Sequence, residues 1–149
     1  MSTATVEDQG FSVTTRIQAS PDAVFKAWTD GPSLARWLAA SVEIDARPGG
    51  AYVYRWPTPD GELSARGEFK ELVPGQRIVQ SWESWGPQGR FDGADAEIVL
   101  EFRDLGDGWT EMVQTETGPA YRDPSHTDMA INGTKQAHEA LVAFVTQPG

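Results

Sequence analysis

Ile17-Gln18-Ala19-Ser20-Pro21-Asp22-Ala23-Val24-Phe25-Lys26-Ala27-Trp28-Thr29-Asp30, followed by Leu34-Ala35-Arg36-Trp37-Leu38, is the stretch that decides the fold. A strand ends at Ala19. Ser20 can cap a helix, Pro21 fits the first helical position without forfeiting a hydrogen bond, and Asp22 meets the positive end of the helix dipole. Ala23 and Ala27, like Val24 and Trp28, then recur four apart, the spacing of one helical face. A second short helix presents Leu34, Trp37 and Leu38.

Outward from this stretch the chain reads as strands. Phe11 to Arg16 alternates apolar and polar residues upstream, and Val42, Ile44 and Ala46 form a short strand downstream. Pro48-Gly49-Gly50 turns into Ala51 to Trp56, which carries Tyr52, Tyr54 and Trp56 on one face. Pro57 to Gly61 is a hairpin loop with Leu63 to Val73 returning. Pro74-Gly75 leads into Arg77 to Trp85. Gly86 to Gly93 is irregular and glycine-rich, a loop expected at the mouth of any cavity. Ala94 to Arg103 and Trp109 to Thr117 flank the Asp104 to Gly108 turn. From about Ser125 to Val145 one long helix is expected, its apolar stripe formed by Ala130, Ala137, Leu141, Phe144 and Val145. An antiparallel meander has one face to bury, and the last helix is there to bury it. The expectation is an α+β chain forming a single domain over 1–149, with residues 1–9 flexible.

Composition narrows the function. The chain has 149 residues, 39% of them apolar, and no apolar run long enough for a membrane span. The first ten residues are polar and lack the basic-then-apolar pattern of a signal peptide. There is no cysteine, hence no disulfide framework, thiol nucleophile or thiolate metal site. These features point to the cytoplasm. A formal net charge of -10 repels phosphate backbones and anionic lipid, so nucleic-acid partners and membrane insertion are not expected. His126 and His138 are 12 apart, outside metal-ligand spacing, so neither a metal nor another cofactor is expected.

The succession Ala19-Ser20-Pro21-Asp22-x-Val24-Phe25-x-Ala27-Trp28, Arg36-Trp37, Pro48-Gly49-Gly50, Gly67 to Pro74, Arg77 to Trp82 and Trp109 to Met112 resembles one family. It is that of the homologues of the activator of heat-shock-protein-90 ATPase, within the START-like (SRPBCC, birch-pollen-allergen-like) superfamily. The resemblance spans roughly Phe11 to Phe144. It implies a helix-grip fold, in which a curved antiparallel sheet of six to seven strands, two short helices and a long C-terminal helix enclose a cavity. The chain departs from the family pattern at four positions. Thr134 follows Gly133 where a Trp is usual, His138 takes a leucine position, and Glu116 stands where the last strand usually ends in histidine. Gln114 likewise replaces an apolar residue. Together these changes make the expected cavity more polar and roomier beneath the helix.

An aromatic on a strand ordinarily packs in a core. A cluster of aromatics around a cavity also stacks on a planar ligand. The expected lining comprises Trp37, Tyr54, Trp56 and Trp82, then Met112, Gln114 and Glu116 on the last strand, then Met129, Thr134 and His138 on the last helix. Glu116 and His138 are the candidates for an acid–base pair; the alternative is that they bond each other or water and only shape the pocket. The first expectation is therefore a protein, monomeric or homodimeric, that binds a small hydrophobic or aromatic molecule rather than turning it over. Two others follow from the resemblance. One is a partner-binding regulator of a chaperone ATPase. The other is a cyclase, hydrolase or self-resistance protein acting on a polyketide or enediyne-type product.

Overall fold

The computed structural model describes residues 2–91 and 95–146. The deciding stretch folds as read. Strand β1 is Ser2–Glu7 and β2 is Gly10–Ile17; helices α1 (Pro21–Thr29) and α2 (Gly31–Trp37) follow. Ser20 caps α1 by accepting from the Ala23 N–H at 3.2 Å, and Asp30 caps α2 by accepting from the Ser33 N–H at 3.1 Å. Then come β3 (Ser41–Ile44), β4 (Ala51–Thr58), β5 (Gly61–Val73), β6 (Arg77–Gly86) and β7 (Gly89–Arg90). β8 (Ala96–Gly106), β9 (Trp109–Thr117), a 3₁₀ turn (Pro119–Arg122) and the long helix α3 (Pro124–Val145) complete the chain.

The sheet is antiparallel in the order β1-β2-β9-β8-β6-β5-β4-β3, with β7 paired to β6. The α1–α2 pair carries the chain from β2 near one edge to β3 at the other. The sheet curls beneath that crossover, and α3 lies in its concave face: a helix-grip α+β fold. The β8–β9 hairpin closes through Asp107 (φ 55°) and Gly108 (φ 83°), the left-handed pair a two-residue turn requires.

Among the described residues nine strands form where six to seven were expected. The 1–9 segment, read as flexible, supplies one of the extra strands. β1 pairs with β2 from Ser2↔Thr15 to Glu7↔Gly10, because Thr3, Thr5 and Val6 are β-branched and the β2 edge is otherwise unpaired. β7 is the other, since Trp85 and Gly86 pair with Arg90 and Gly89. That pairing lies within the expected 86–93 loop; Asp92 and Gly93 of that loop, and Ala94 at the expected start of β8, lie outside the described residues.

Period-two alternation sets the inner face. Ile78, Gln80 and Trp82 of β6 share it with Ile98, Leu100 and Phe102 of β8, and with Met112, Gln114 and Glu116 of β9. The ladders align them in rows, Gln80↔Ile98↔Glu116↔Phe11 and Ile78↔Leu100↔Gln114↔Val13. The main core joins Leu100, Ile78, Phe69 and Tyr52 to Val24, Trp28 and Leu34 of the short helices and Leu141 of α3.

The stripe that α3 buries differs from the expected one. Thr127, Ile131, Thr134, His138 and Leu141 face inward, whereas Ala130, Ala137, Phe144 and Val145 are only half-buried. The helix is rotated because polar groups on β9 meet Thr134 and His138, which an apolar-stripe reading ranks as flanking positions.

Candidate functional site

A pocket of about 390 Å³ lies between the N-terminal half of α3 and the inner face of the sheet. It is a cleft about half open to the surface, within the size range of small-molecule sites. Of the expected lining residues, Tyr54, Trp56 and Trp82 form the aromatic wall, Gln114 and Glu116 the floor, and Met129 and Thr134 the helix side.

Trp37, Met112 and His138 do not line it. Trp37 stands edge-on to Trp28 (centroids 4.8 Å apart, planes at 87°), and its indole N–H donates to the Ala27 carbonyl at 3.0 Å. Trp28 takes the wall position expected of Trp37 and directs its own N–H at Met112 Sδ, 3.2 Å away. Met112 is thereby covered. His138 is fully buried between β2 and β9.

Further lining comes from residues absent from the expected set. Gln80 sits between Ile78 and Trp82 on the same face, so alternation alone marks it. Tyr121 arrives from the 3₁₀ turn, where no periodicity announces it. Gly133 leaves a gap in α3, where a Cβ would meet nothing within 4 Å.

Beneath the helix runs a chain of buried hydrogen bonds whose polarity can be assigned. Gln114 Nε2 donates to Glu116 Oε2 at 2.9 Å, leaving Gln114 Oε1 as an acceptor. His138 Nε2, 2.8 Å from that oxygen, therefore carries the proton. Burial pushes the His138 pKa down to about 4, so the ring is neutral and its Nδ1 accepts from Thr15 Oγ1 at 2.7 Å. Thr15 in turn accepts from Ser2 Oγ at 2.5 Å, which ties β1 into the core. At the other end Glu116 accepts from the Tyr121 hydroxyl at 2.8 Å and from Thr134 Oγ1 at 3.2 Å.

Desolvation raises the Glu116 pKa; the bonds from Tyr121, Gln114 and Thr134 oppose it without cancelling it. Glu116 and His138 do not touch. Gln114 bridges them, so they form no direct acid–base pair, and His138 has no access to the pocket. Among the described residues, no group of three or more His, Asp or Glu is placed to hold a metal ion. No helix among them is long and apolar enough to cross a membrane.

A curved antiparallel sheet gripping a long helix over an aromatic-walled pocket defines the SRPBCC class. Within it, the chain belongs to the Activator of Hsp90 ATPase homolog 1-like protein family, whose model matches residues 18–146. The human activator of 90 kDa heat shock protein ATPase homolog 1 is 33% identical over 101 residues, covering 66% of this chain and 26% of that protein. This chain thus spans about a quarter of the length of the curated relative it matches. Among solved structures, Mll3558 from Rhizobium loti is 28% identical, with 97% of this chain and 99% of that chain covered and a TM-score of 0.77. DynU16, a protein of the dynemicin biosynthetic locus, is 18% identical, with 94% of this chain and 48% of that chain covered and a TM-score of 0.75. At that identity the likeness to DynU16 is one of fold alone.

Proposed function

We propose that this protein is a container for a small hydrophobic or aromatic molecule, held between α3 and the sheet. The observation that carries this reading is the pocket itself, about 390 Å³ of space faced by Trp28, Tyr54, Trp56 and Trp82. Four aromatic faces offer stacking area at little entropic cost, and a few fixed polar groups orient the guest. The cleft is concave, largely apolar and of the size small-molecule sites take. Binding without turnover is the reading favoured, because His138 is sealed from the pocket and Glu116 is engaged by three donors. The guest site works in monomer or homodimer alike, in the cytoplasm.

Native mass spectrometry with a denatured control tests this. A non-covalent mass that survives native spraying and is lost from Gly133→Phe supports the container. Equal retention by that variant, which places a ring at the pocket's helix side, contradicts it.

A second reading has its own observation: the 33% identity to the human ATPase activator. In that reading the chain docks on a chaperone of the 90 kDa heat-shock class. Stimulation of purified chaperone ATPase at stoichiometric concentrations supports it, and no stimulation at excess contradicts it. A third reading, an enzyme or self-resistance protein for a polyketide or enediyne-type product, takes its support from the shared fold of DynU16. Covalent modification or turnover of such a product would establish it.

A further inference from the structure

The two edges of the sheet are unlike. β3, at one edge, has four residues and carries Glu43, which pairs with Arg55. Shortness and charge are ordinary ways of shielding a sheet edge from other strands. β1, at the other edge, has six residues, and its Ser2 to Val6 stretch holds no charge, no proline and no bulge. It does so in a chain where 23% of residues are charged.

The free groups on this edge can be assigned. The Gly118 N–H donates to the Gln9 carbonyl at 2.9 Å, so odd-numbered residues from Gln9 onward bond β9 and even-numbered ones bond β1. Through the β1–β2 register, Thr3, Thr5 and Glu7 then turn their backbone groups toward β2. The N–H and C=O groups of Ser2, Ala4 and Val6 point away from the sheet, and no strand among the described residues pairs with them. The side chains fix the strand in place. Ala4 packs inward on the small core of Phe11, Val13, Tyr121 and Ile131, and Ser2 bonds Thr15, whereas Thr3 and Thr5 stand exposed on the outer face.

We propose that β1 pairs antiparallel with β1 of a second copy of this chain, about a twofold axis through Ala4, joining two sheets into one. The pattern of the edge selects a second copy as its partner. An axis at Ala4 sets Ser2 opposite Val6, Thr3 opposite Thr5 and Ala4 opposite itself. Every outward residue then meets an outward residue, giving about six inter-chain backbone hydrogen bonds. A slip of one residue would instead face outward groups with groups already bonded to β2. On the outer face threonine meets threonine, a favourable cross-strand pair. On the inner face Val6, 65% exposed in the single chain, gains the partner's Ser2 opposite and the partner's Ala4 diagonally. No charged side chain within the paired stretch faces another.

The paired surface, Ser2 to Val6 on each copy, falls below the roughly 1,200 Å² of a stable interface, so the dimer is reversible, with a Kd on the order of 10–100 µM. Two chains of net charge -10 repel each other. Salt screens that repulsion and breaks no ion pair in this interface, so it tightens the dimer.

Sedimentation equilibrium of the full chain over a range of concentrations tests this. A reversible monomer–dimer equilibrium is expected, several-fold tighter at high salt than at low. Ala4→Pro removes the outward N–H at the axis and leaves the β1–β2 bonds in place, so it should weaken the dimer about tenfold or more. Paired charge variants give a control that misfolding cannot mimic. Thr3→Lys combined with Thr5→Lys sets lysine against lysine and should be monomeric, as should Thr3→Glu combined with Thr5→Glu. Mixed together, the two should form a heterodimer at least as tight as the wild-type dimer, because each lysine now faces a glutamate. A chain that stays monomeric at every concentration overturns the second copy as the occupant of this edge. A dimer unmoved by Ala4→Pro, a dimer weakened by salt, or a mixture that remains monomeric overturns it too.

Discussion

Replacing His138 by glutamine should make the protein less sensitive to acid, by an amount the structure sets. The side-chain amide of His138→Gln offers an N–H to Gln114 Oε1 and an oxygen to Thr15, so the hydrogen-bond chain persists while the titration disappears. In the native protein, burial lowers the ring from its ordinary 6.5 to about 4. Above about pH 6.5 the imidazole is neutral in both the folded and unfolded chains, and the histidine costs nothing. As pH falls, the unfolded chain takes its proton first, so stability is lost progressively between about pH 6.5 and pH 4. At about 1.4 kcal/mol per pKa unit the full loss is roughly 3–3.5 kcal/mol. Glu116 acts in the opposite sense: its raised pKa lets the folded chain bind a proton first, which offsets part of the loss. That contribution is common to both proteins and drops out of the difference. The assay is urea unfolding followed by tryptophan fluorescence, from about pH 7 to about pH 4.5. The two stability curves should diverge as pH falls, the wild type losing ground by about 2 kcal/mol or more. Curves that stay parallel over this range would refute the assignment of His138 as a buried neutral ring.

Gly133→Ala should stabilise the fold by about 0.5–1 kcal/mol, since the glycine lies mid-helix in open space; thermal melts read this directly. Gly133→Phe should fold as well as the wild type yet lose guest affinity more than tenfold, a split that separates pocket from scaffold. Gly10→Ala should cost roughly 2 kcal/mol or more in chemical unfolding, because its Cβ would sit 2.1 Å from the Glu116 carbonyl oxygen. Leu141→Ala, which truncates a fully buried residue near the end of α3, should cost about 2–5 kcal/mol by the same measurement.

Much of this is legible in the sequence. Ser20-Pro21-Asp22 announces α1, and alternation places Gln80, Gln114 and Glu116 on the inner face. The limits of that legibility are physical. Alternation tells which face a side chain occupies but not how deep it lies. Met112 shares a face with Gln114 and Glu116, yet Trp28 covers it, while the neighbouring pair stays open to the pocket. His138 shares a helix face with Thr134 but bonds Thr15 of β2 and Gln114 of β9, so it is a buried link. A hydrophobic stripe also misjudges a helix that buries Thr127, Thr134 and His138 against polar partners. Tyr121 comes from a single 3₁₀ turn, too short for any period. β1 escapes a reading by pattern because Ser2–Glu7 is polar; it is held by its ladder and by the Ser2–Thr15 bond rather than by an apolar face.

The most direct test of the container is a ¹H–¹⁵N correlation spectrum recorded as 9-fluorenone is added. Shifts should concentrate at the indole N–H groups of Trp28, Trp56 and Trp82, the side-chain amide of Gln80 and the backbone of Gly133, with the Trp109 indole unmoved. Shifts centred instead on Trp109 and Leu105, at the far β8–β9 turn, or no shifts at all, would contradict a guest site between α3 and the sheet.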